Sequence, residues 1–481
     1  MSAIGSRSGA QAWREAGGLL ATGLMWSPLR QPAYRRLFLA QVSALTGTGL
    51  MTVALALLAF ELAGDEAGMV LGTALALKMV AYVAIAPVVG GLAHLLPRKR
   101  LLVGLDLVRA ASVLMLFWIT EVWQLYLVVF VLNACSAGFT PTFQATIPDL
   151  LEEPDYTRAL ALSRLAYDLE NLASPLLAGA LLLVASFHEL FAATALGFVI
   201  SAAWVLGARL PAPRPAERGR SVAANVAFGL RAYLATPRLR GVLALSLAVA
   251  AAGAMVIVNS VVVVRAELGL GESALALALA FAGGGSMTAA LLLPRLAERV
   301  AERPIMLAGA LLLAAAMAAG ALADLDYGLV LGLWFVVGVG LALVQTPVGR
   351  VLRRSSSASD RAAFFAAQFA LSHACWLVTY PLAGWLAAAV GTAAAFAVLG
   401  GLAALGGLAA LVLWPAGDVV ELEHVHPGGA HEHLHSHDDP HHAHAHAGWE
   451  GPEPHRHPHR HAPVRHRHAF VIDLHHPSWP A

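Results

Sequence analysis

Charge is what this sequence has least of. Only 13% of its 481 residues are Asp, Glu, Lys or Arg, about half of the roughly 25% typical of soluble domains, which excludes an ordinary water-soluble globule. Cysteine is nearly absent: Cys135 and Cys375 both lie in apolar runs. That excludes a disulfide framework and a thiolate metal cluster, and leaves both as small buried hydrophobes. Strict apolar–polar alternation in successive ten-residue segments is missing from the hydrophobic runs, which excludes a transmembrane barrel. No glycine-rich loop is followed by Lys-Ser/Thr, so there is no ATP-binding loop. Gly283-Gly284-Gly285 is expected instead to let helices pack closely. No cleavable leader is evident. At the N-terminus Arg7, Arg14, Arg30, Arg35 and Arg36 flank an apolar patch, Ala16 to Trp26, too short to span a bilayer. Nothing points to an enzyme, a resident cofactor or a nucleic-acid partner.

What is present is hydrophobic length. The chain is 58% hydrophobic with a mean hydropathy of +0.68, and its charges sit in clusters between long Ala-, Leu-, Val- and Gly-rich runs. A span needs roughly 20 apolar residues, and lipid offers the backbone no partner outside its own helix. The runs predict an all-α membrane protein of twelve helices over 37–62, 68–95, 101–120, 123–147, 158–184, 190–209, 241–264, 273–293, 305–323, 327–348, 362–388 and 392–414.

The halves repeat. Phe139-Thr140-Pro141-Thr142 closes the fourth span and Gln345-Thr346-Pro347-Val348 the tenth; Ser174-Pro175-Leu176 lies in the fifth and Tyr380-Pro381-Leu382 in the eleventh. Both proline pairs are 206 residues apart. Two parallel six-helix bundles, 37–209 and 241–414, are therefore expected, joined by a loop over 210–240 and flanked by an N-terminal segment, 1–36, and a tail, 415–481. Lys and Arg in short loops set the orientation. One side collects the five N-terminal arginines, Arg98-Lys99-Arg100, Arg158, the arginines of the central loop, Arg295, Arg299, Arg303, Arg350, Arg353, Arg354 and Arg361; the other has Arg265 alone. Both termini are expected in the cytoplasm.

Gly90-Gly91-Leu92-Ala93-His94-Leu95-Leu96-Pro97-Arg98-Lys99-Arg100 resembles the signature between spans two and three of the major facilitator superfamily, Gly-x-Leu-Ala-Asp-Arg-x-x-Arg-Arg/Lys. Gly91, His94, Arg98, Lys99 and Arg100 are the gate-loop residues this implies. His94 stands where the family has Asp and Leu95 where it has Arg, so the usual charge relay is altered. Asp106 and Arg109 in span three, and Pro148-Asp149-Leu150 after span four, resemble the superfamily's drug- and siderophore-efflux branch. Asp106 and Arg109, one turn apart, are expected to pair structurally.

The tail holds 18 of the chain's 21 histidines: His424, His426, His431, His433, His435, His437, His441, His442, His444, His446, His455, His457, His459, His461, His466, His468, His475 and His476. Imidazole suits Ni²⁺, Co²⁺, Zn²⁺ and Cu²⁺, and at cytosolic pH these side chains, with an ordinary pKa of about 6.5, are mostly neutral. Pro, Gly and Ala between them predict a disordered tail that binds metal. A superfamily body with such a tail resembles the bacterial nickel-resistance exporters. That resemblance implies a multi-pass inner-membrane monomer exporting Ni²⁺, with Co²⁺ possible, by proton antiport.

Ionisable groups inside spans are costly and mark pathways. Asp168, Glu170 and Asn171 in span five, and His373 in span eleven, are the expected pathway or proton-coupling residues. Lys78 in span two is expected on the central cavity or against an acid from another helix. Two other readings remain: a drug or siderophore exporter with a metal-sensing tail, and a membrane-tethered metal buffer that transports nothing.

Overall fold

The computed structural model describes residues 24–93, 95–212, 221–418, 421–426, 429–435, 455–461, 464–472, 476 and 479. Six helices make the first half: α1 (Pro32–Ala63), α2 (Ala67–Leu92), α3 (Arg98–Met115), α4 (Val122–Thr146), α5 (Asp155–Leu181) and α6 (Phe187–Gly207). A linking helix, α7 (Val222–Ala235), precedes the second half of α8 (Pro237–Val261), α9 (Glu272–Arg299), α10 (Glu302–Leu322), α11 (Tyr327–Gln345), the short α12 (Val348–Ser355), α13 (Arg361–Ala389) and α14 (Thr392–Leu413). Eleven of the spans are long and apolar enough to cross a membrane on hydropathy. The twelfth, α5, carries Asp155, Arg158, Arg164, Asp168 and Glu170 along its length. Helix starts follow local chemistry. The Gln31 side chain accepts from Tyr34 N ahead of α1, and capping boxes Glu121/Gln124 and Ser186/Glu189 open α4 and α6.

Close backbone contact holds the bundles together, because between lipid-facing helices packing takes over from the hydrophobic effect. A Cβ on Gly285 would meet the Phe335 carbonyl, and one on Gly338 the Ala282 carbonyl. Each glycine thus seats the other helix of the α9–α11 pair. The first half has two apolar clusters, one around Leu102, Val103, Phe139 and Ala202, the other around Ala110, Val113, Phe198 and Leu132. Between them lies a polar layer. Arg109 pairs with Asp106, Ser201 Oγ donates to Asp106 Oδ2 at 2.7 Å, and the guanidinium stacks on Phe139 and Phe198 at 4.3 and 4.5 Å. Asp106 is fully buried, so this pair is a strut within one half.

Two expectations change. The stretch 210–240 is not simply a loop: α7 occupies 222–235, with Ala232 and Tyr233 buried in the core of the second half, and α8 begins at Pro237. The helical spacing of Phe228, Ala232 and Tyr233 gives it a buried face, and Ser221 caps it. In the tail, where disorder is expected, the described backbone forms four strands, β1 (Glu421–His426), β2 (Gly429–His435), β3 (His455–His461) and β4 (Val464–Ala469). β1 pairs with β4 and β2 with β3, both antiparallel. His-x-His alternation is a strand period, which the composition concealed.

Both ends of this tail are fixed to the arginine-rich end of the second half. Asp418 accepts from Arg354 at 2.6 Å and from Trp414 Nε1 at 2.8 Å, and lies 3.4 Å from Arg238. Beyond β4, Ile472 joins the core of the second half and Trp479 packs against it, with Arg238 over the Trp479 ring at 4.9 Å.

Candidate functional site

The halves meet along two related seams: α2 against α13, and α5 against α9. The 206-residue repeat maps α2 onto α9 and α5 onto α13, so one seam is the symmetry image of the other. Charged side chains cross both seams toward the arginine-rich end. Asp149, just after α4, accepts from Arg98 at the start of α3 through one carboxylate oxygen and from Arg361 at the start of α13 through the other. Arg98 and Arg361 are both under a tenth exposed, a setting in which such charge-assisted bonds are strong. Arg350 on α12 donates to Glu302 and to Thr157 of α5, both at 2.8 Å, and Arg353 stacks on Tyr156 at 5.1 Å. Asp149, Arg350 and Arg353 therefore clamp this end of the molecule.

A second crossing lies deeper. Arg164 and Asp168, one turn apart on α5, form an ion pair at 3.1 Å. Ser286 of α9 donates to Asp168 Oδ2 at 2.7 Å and accepts from Arg164 Nε at 2.8 Å, while Arg164 Nη1 reaches Gln345 Oε1 on α11. Asp168 is 4% exposed, and Arg164 and Ser286 occupy both its oxygens. It is a latch between the halves.

Above the latch a polar patch gathers Lys78 and Tyr82 of α2, Glu170 of α5 and His373 of α13. The Lys78 ammonium stands 5.7 Å from the Tyr82 ring centre, and its charge acts on both Glu170 and His373. Tyr82 meets the His373 ring edge-on at 4.8 Å. His373 Nδ1 lies 2.7 Å from the Phe369 carbonyl. A carbonyl only accepts, so in the neutral ring Nδ1 carries the hydrogen and Nε2 keeps its lone pair.

The predicted site residues therefore divide. Asp168 belongs to the latch, Glu170 and His373 to the patch, and Asn171 is exposed. Cys375, expected as a buried hydrophobe, is half-buried and makes a weak contact with the Leu371 carbonyl. Among the described residues, no three His, Cys, Asp or Glu side chains converge as a metal cage. Of the gate loop, Gly91 is buried in α2, Arg98 is in the clamp, Lys99 and Arg100 open α3, and His94 lies outside the described residues. Also outside them are His437, His441, His442, His444, His446 and His475; His476 is buried against Phe470 at 4.6 Å. Sequence reasoning missed Arg164 and Ser286, and it named Arg98 and Asp149 without their pairing in the clamp. The i, i+4 spacing of Arg164 and Asp168 on one helix was the available signal.

A family model described as transmembrane secretion effector matches residues 23–348, about two thirds of the chain. The chain belongs to that family of major facilitator superfamily transporters. Macrolide efflux protein A of Enterococcus faecalis is 27% identical over 188 residues, covering 37% of this chain and 58% of that protein. The chain thus spans somewhat over half the length of that curated relative. Among solved structures, the human organic anion transporter MFSD10 (TETRAN) superposes with a TM-score of 0.67 at 14% identity, covering 79% of this chain and 99% of that one. A bacterial homologue of the iron transporter ferroportin, in an outward-facing state, gives the same TM-score, identity and coverage. At this identity both likenesses speak for the fold alone.

Proposed function

We propose, from membership of this transporter family, that the protein is a secondary active exporter of divalent transition-metal cations, Ni²⁺ first and Co²⁺ next, driven by protons moving inward. The observation that carries the metal reading is the tail: 18 histidines on a segment whose two ends are fixed beside the clamp. A ligand-rich segment held there raises the local metal concentration at the mouth from which an exporter loads.

The positive-inside asymmetry makes the arginine-rich end cytoplasmic. With that end clamped, the conformation is the one that releases cargo outward. Alternating access then requires the clamp and the latch to part so that the halves rock about the patch. Glu170 is the proton-carrying acid in this scheme: it takes no part in the latch and lies within reach of the Lys78 charge. His373 Nε2 offers a lone pair to a passing cation, and the tail supplies the rest of the selectivity. Protons are the coupling ion, the chain acts as a monomer in a bacterial inner membrane, and no resident cofactor is required.

A second reading, export of a drug-like molecule with a metal-responsive tail, is favoured by one observation, the lack of a ready-made acid and histidine cage among the described residues. The likeness to macrolide efflux protein A adds to it. Cells carrying the protein should accumulate at least several-fold less Ni²⁺ in a panel of Ni, Co, Zn, Cu and Fe, with macrolide accumulation unchanged. Unchanged nickel with reduced macrolide accumulation would sink the metal reading in favour of the second.

A further inference from the structure

The short helix α12 is tied on two sides. Toward the first half, Arg350 donates to Thr157 at 2.8 Å and Arg353 stacks on Tyr156 at 5.1 Å. Toward the second, Arg354 donates to Asp418 Oδ2 at 2.6 Å and faces the Trp414 ring at 6.0 Å. The three arginines share about one turn of the helix, so none of them moves without the others. An isolated helix shorter than about 12–15 residues is marginal in water, and α12 has 8. Its place is therefore set by Val351 and Leu352, which join the core of the second half, and by what its arginines hold.

Asp418 stands just past α14, where the body ends and the tail begins. Its side chain is 9% exposed; it accepts from Arg354 and from Trp414 Nε1 at 2.8 Å, and lies 3.4 Å from Arg238 Nε. Arg238 is 1% exposed, and its Nη1 and Nη2 meet no acceptor among the described residues. Glu302, the other acid whose charge reaches Arg238, is held by Arg350 at 2.8 Å. One carboxylate thus balances two cations, and a buried cation that loses its partner is strongly penalised. The far end of the tail closes over the same group, with the Trp479 ring 4.9 Å from the Arg238 guanidinium. All three partners of Asp418 lie in the second half, so its influence on the first half has to travel through α12.

We propose that Asp418 is a positioning residue for the clamp: by holding Arg354 it fixes α12, which presents Arg350 and Arg353 to the first half. The root of the tail is then part of the gate, and not only the attachment of a ligand-rich segment. The proposal rests on the reading that the halves part at the arginine-rich end, and it is independent of which cargo crosses.

The test reads the opening of that end. Leu160 of α5 packs against Gly349 of α12, so a cysteine at 160 is shielded while α12 is in place. L160C is introduced into the full-length protein with Cys135 and Cys375 replaced by serine, in inside-out vesicles. The rate of labelling by a membrane-impermeant maleimide is compared across variants. D418N and R354Q should each raise it at least about fivefold, as loss of a hydrogen bond between charged groups implies, and D418E should return it to within about twofold of the parent. The double variant D418N/R354Q should label no faster than the faster single one, because both changes remove the same bond. If D418N fails to reach the membrane, R354Q carries the same comparison. D149N, which frees Arg98 and Arg361, is the reference for an open clamp. D106N, altered within one half, is the reference for simple destabilisation and should leave the rate unchanged. Labelling of D418N and R354Q as slow as that of D106N, with D149N fast, would overturn the positioning role. If D149N also labels no faster than the parent, the halves do not part at this end, and the reading beneath the proposal fails first.

Discussion

Asp168 and Glu170 are two positions apart on one helix, and the structure gives them different surroundings. Asp168 spends both carboxylate oxygens on Arg164 and Ser286, so D168N leaves the Arg164 guanidinium without its counter-charge. Arg164 sits on the same helix and keeps its place in either state, so what the latched state alone loses is the bond from Ser286 to a charged carboxylate, about 1.5–3 kcal/mol. D168N should therefore shift the molecule toward opening at the arginine-rich end and lower export at least tenfold. E170Q should leave the latch intact and abolish the dependence of export on the proton gradient. Proteoliposome transport with and without an imposed pH gradient separates them; identical behaviour of the two variants would remove this division. D106N is the structural control. It should lower the thermal unfolding midpoint by several degrees, because Asp106 lies within one half, on Arg109 and Ser201. Asp168 and Glu170 were legible as intramembrane acids because charge in an apolar run is conspicuous. Their separate roles were not, because Ser286 lies 118 residues away and helical periodicity says nothing about partners on another helix.

At the scale of elements, hydropathy and the proline repeat placed every span to within six residues at either end, including α5, the most charged. The same composition misled at 210–240, where Arg and Pro suggested a loop and the apolar spacing of α7 was overlooked, and in the tail, where alternation is a strand period. The repeat is also imperfect in detail: Pro141 lies inside α4, whereas its counterpart Pro347 sits in the break between α11 and α12. The tail can be removed as a unit. A chain ending at Asp418 keeps the contacts to Arg354, Arg238 and Trp414 and uncovers the surface beneath Ile472 and Trp479. It should fold, retain transport in vesicles at saturating metal, and lose most of the resistance it confers on cells at low metal. Dose–response growth curves beside vesicle transport check this; complete loss in vesicles would make the tail part of the translocation machinery.

For the molecule as a whole, the governing fact is that the seams α2–α13 and α5–α9 are images of one another under the repeat. Contacts of one kind on both sides can be made and broken together, which is what a rocking motion between two stable arrangements needs. The clamp and latch residues all act toward the arginine-rich end, so this conformation should be trapped by a covalent bond placed there. Gly349 of α12 and Leu160 of α5 are neighbours there: a Cβ on Gly349 would come within 2.8 Å of Leu160 Cδ2 and of the Tyr156 hydroxyl, and cysteine at 160 removes the leucine's branched end to make room for one at 349. In a background with Cys135 and Cys375 replaced by serine, G349C/L160C should form a disulfide on mild oxidation, stop export, and recover it on reduction. The single variant L160C should transport normally under the same oxidant. A cross-linked protein that still exports at the full rate would mean that the two halves need not separate at this end, and alternating access about the Glu170–His373 patch would have to be abandoned.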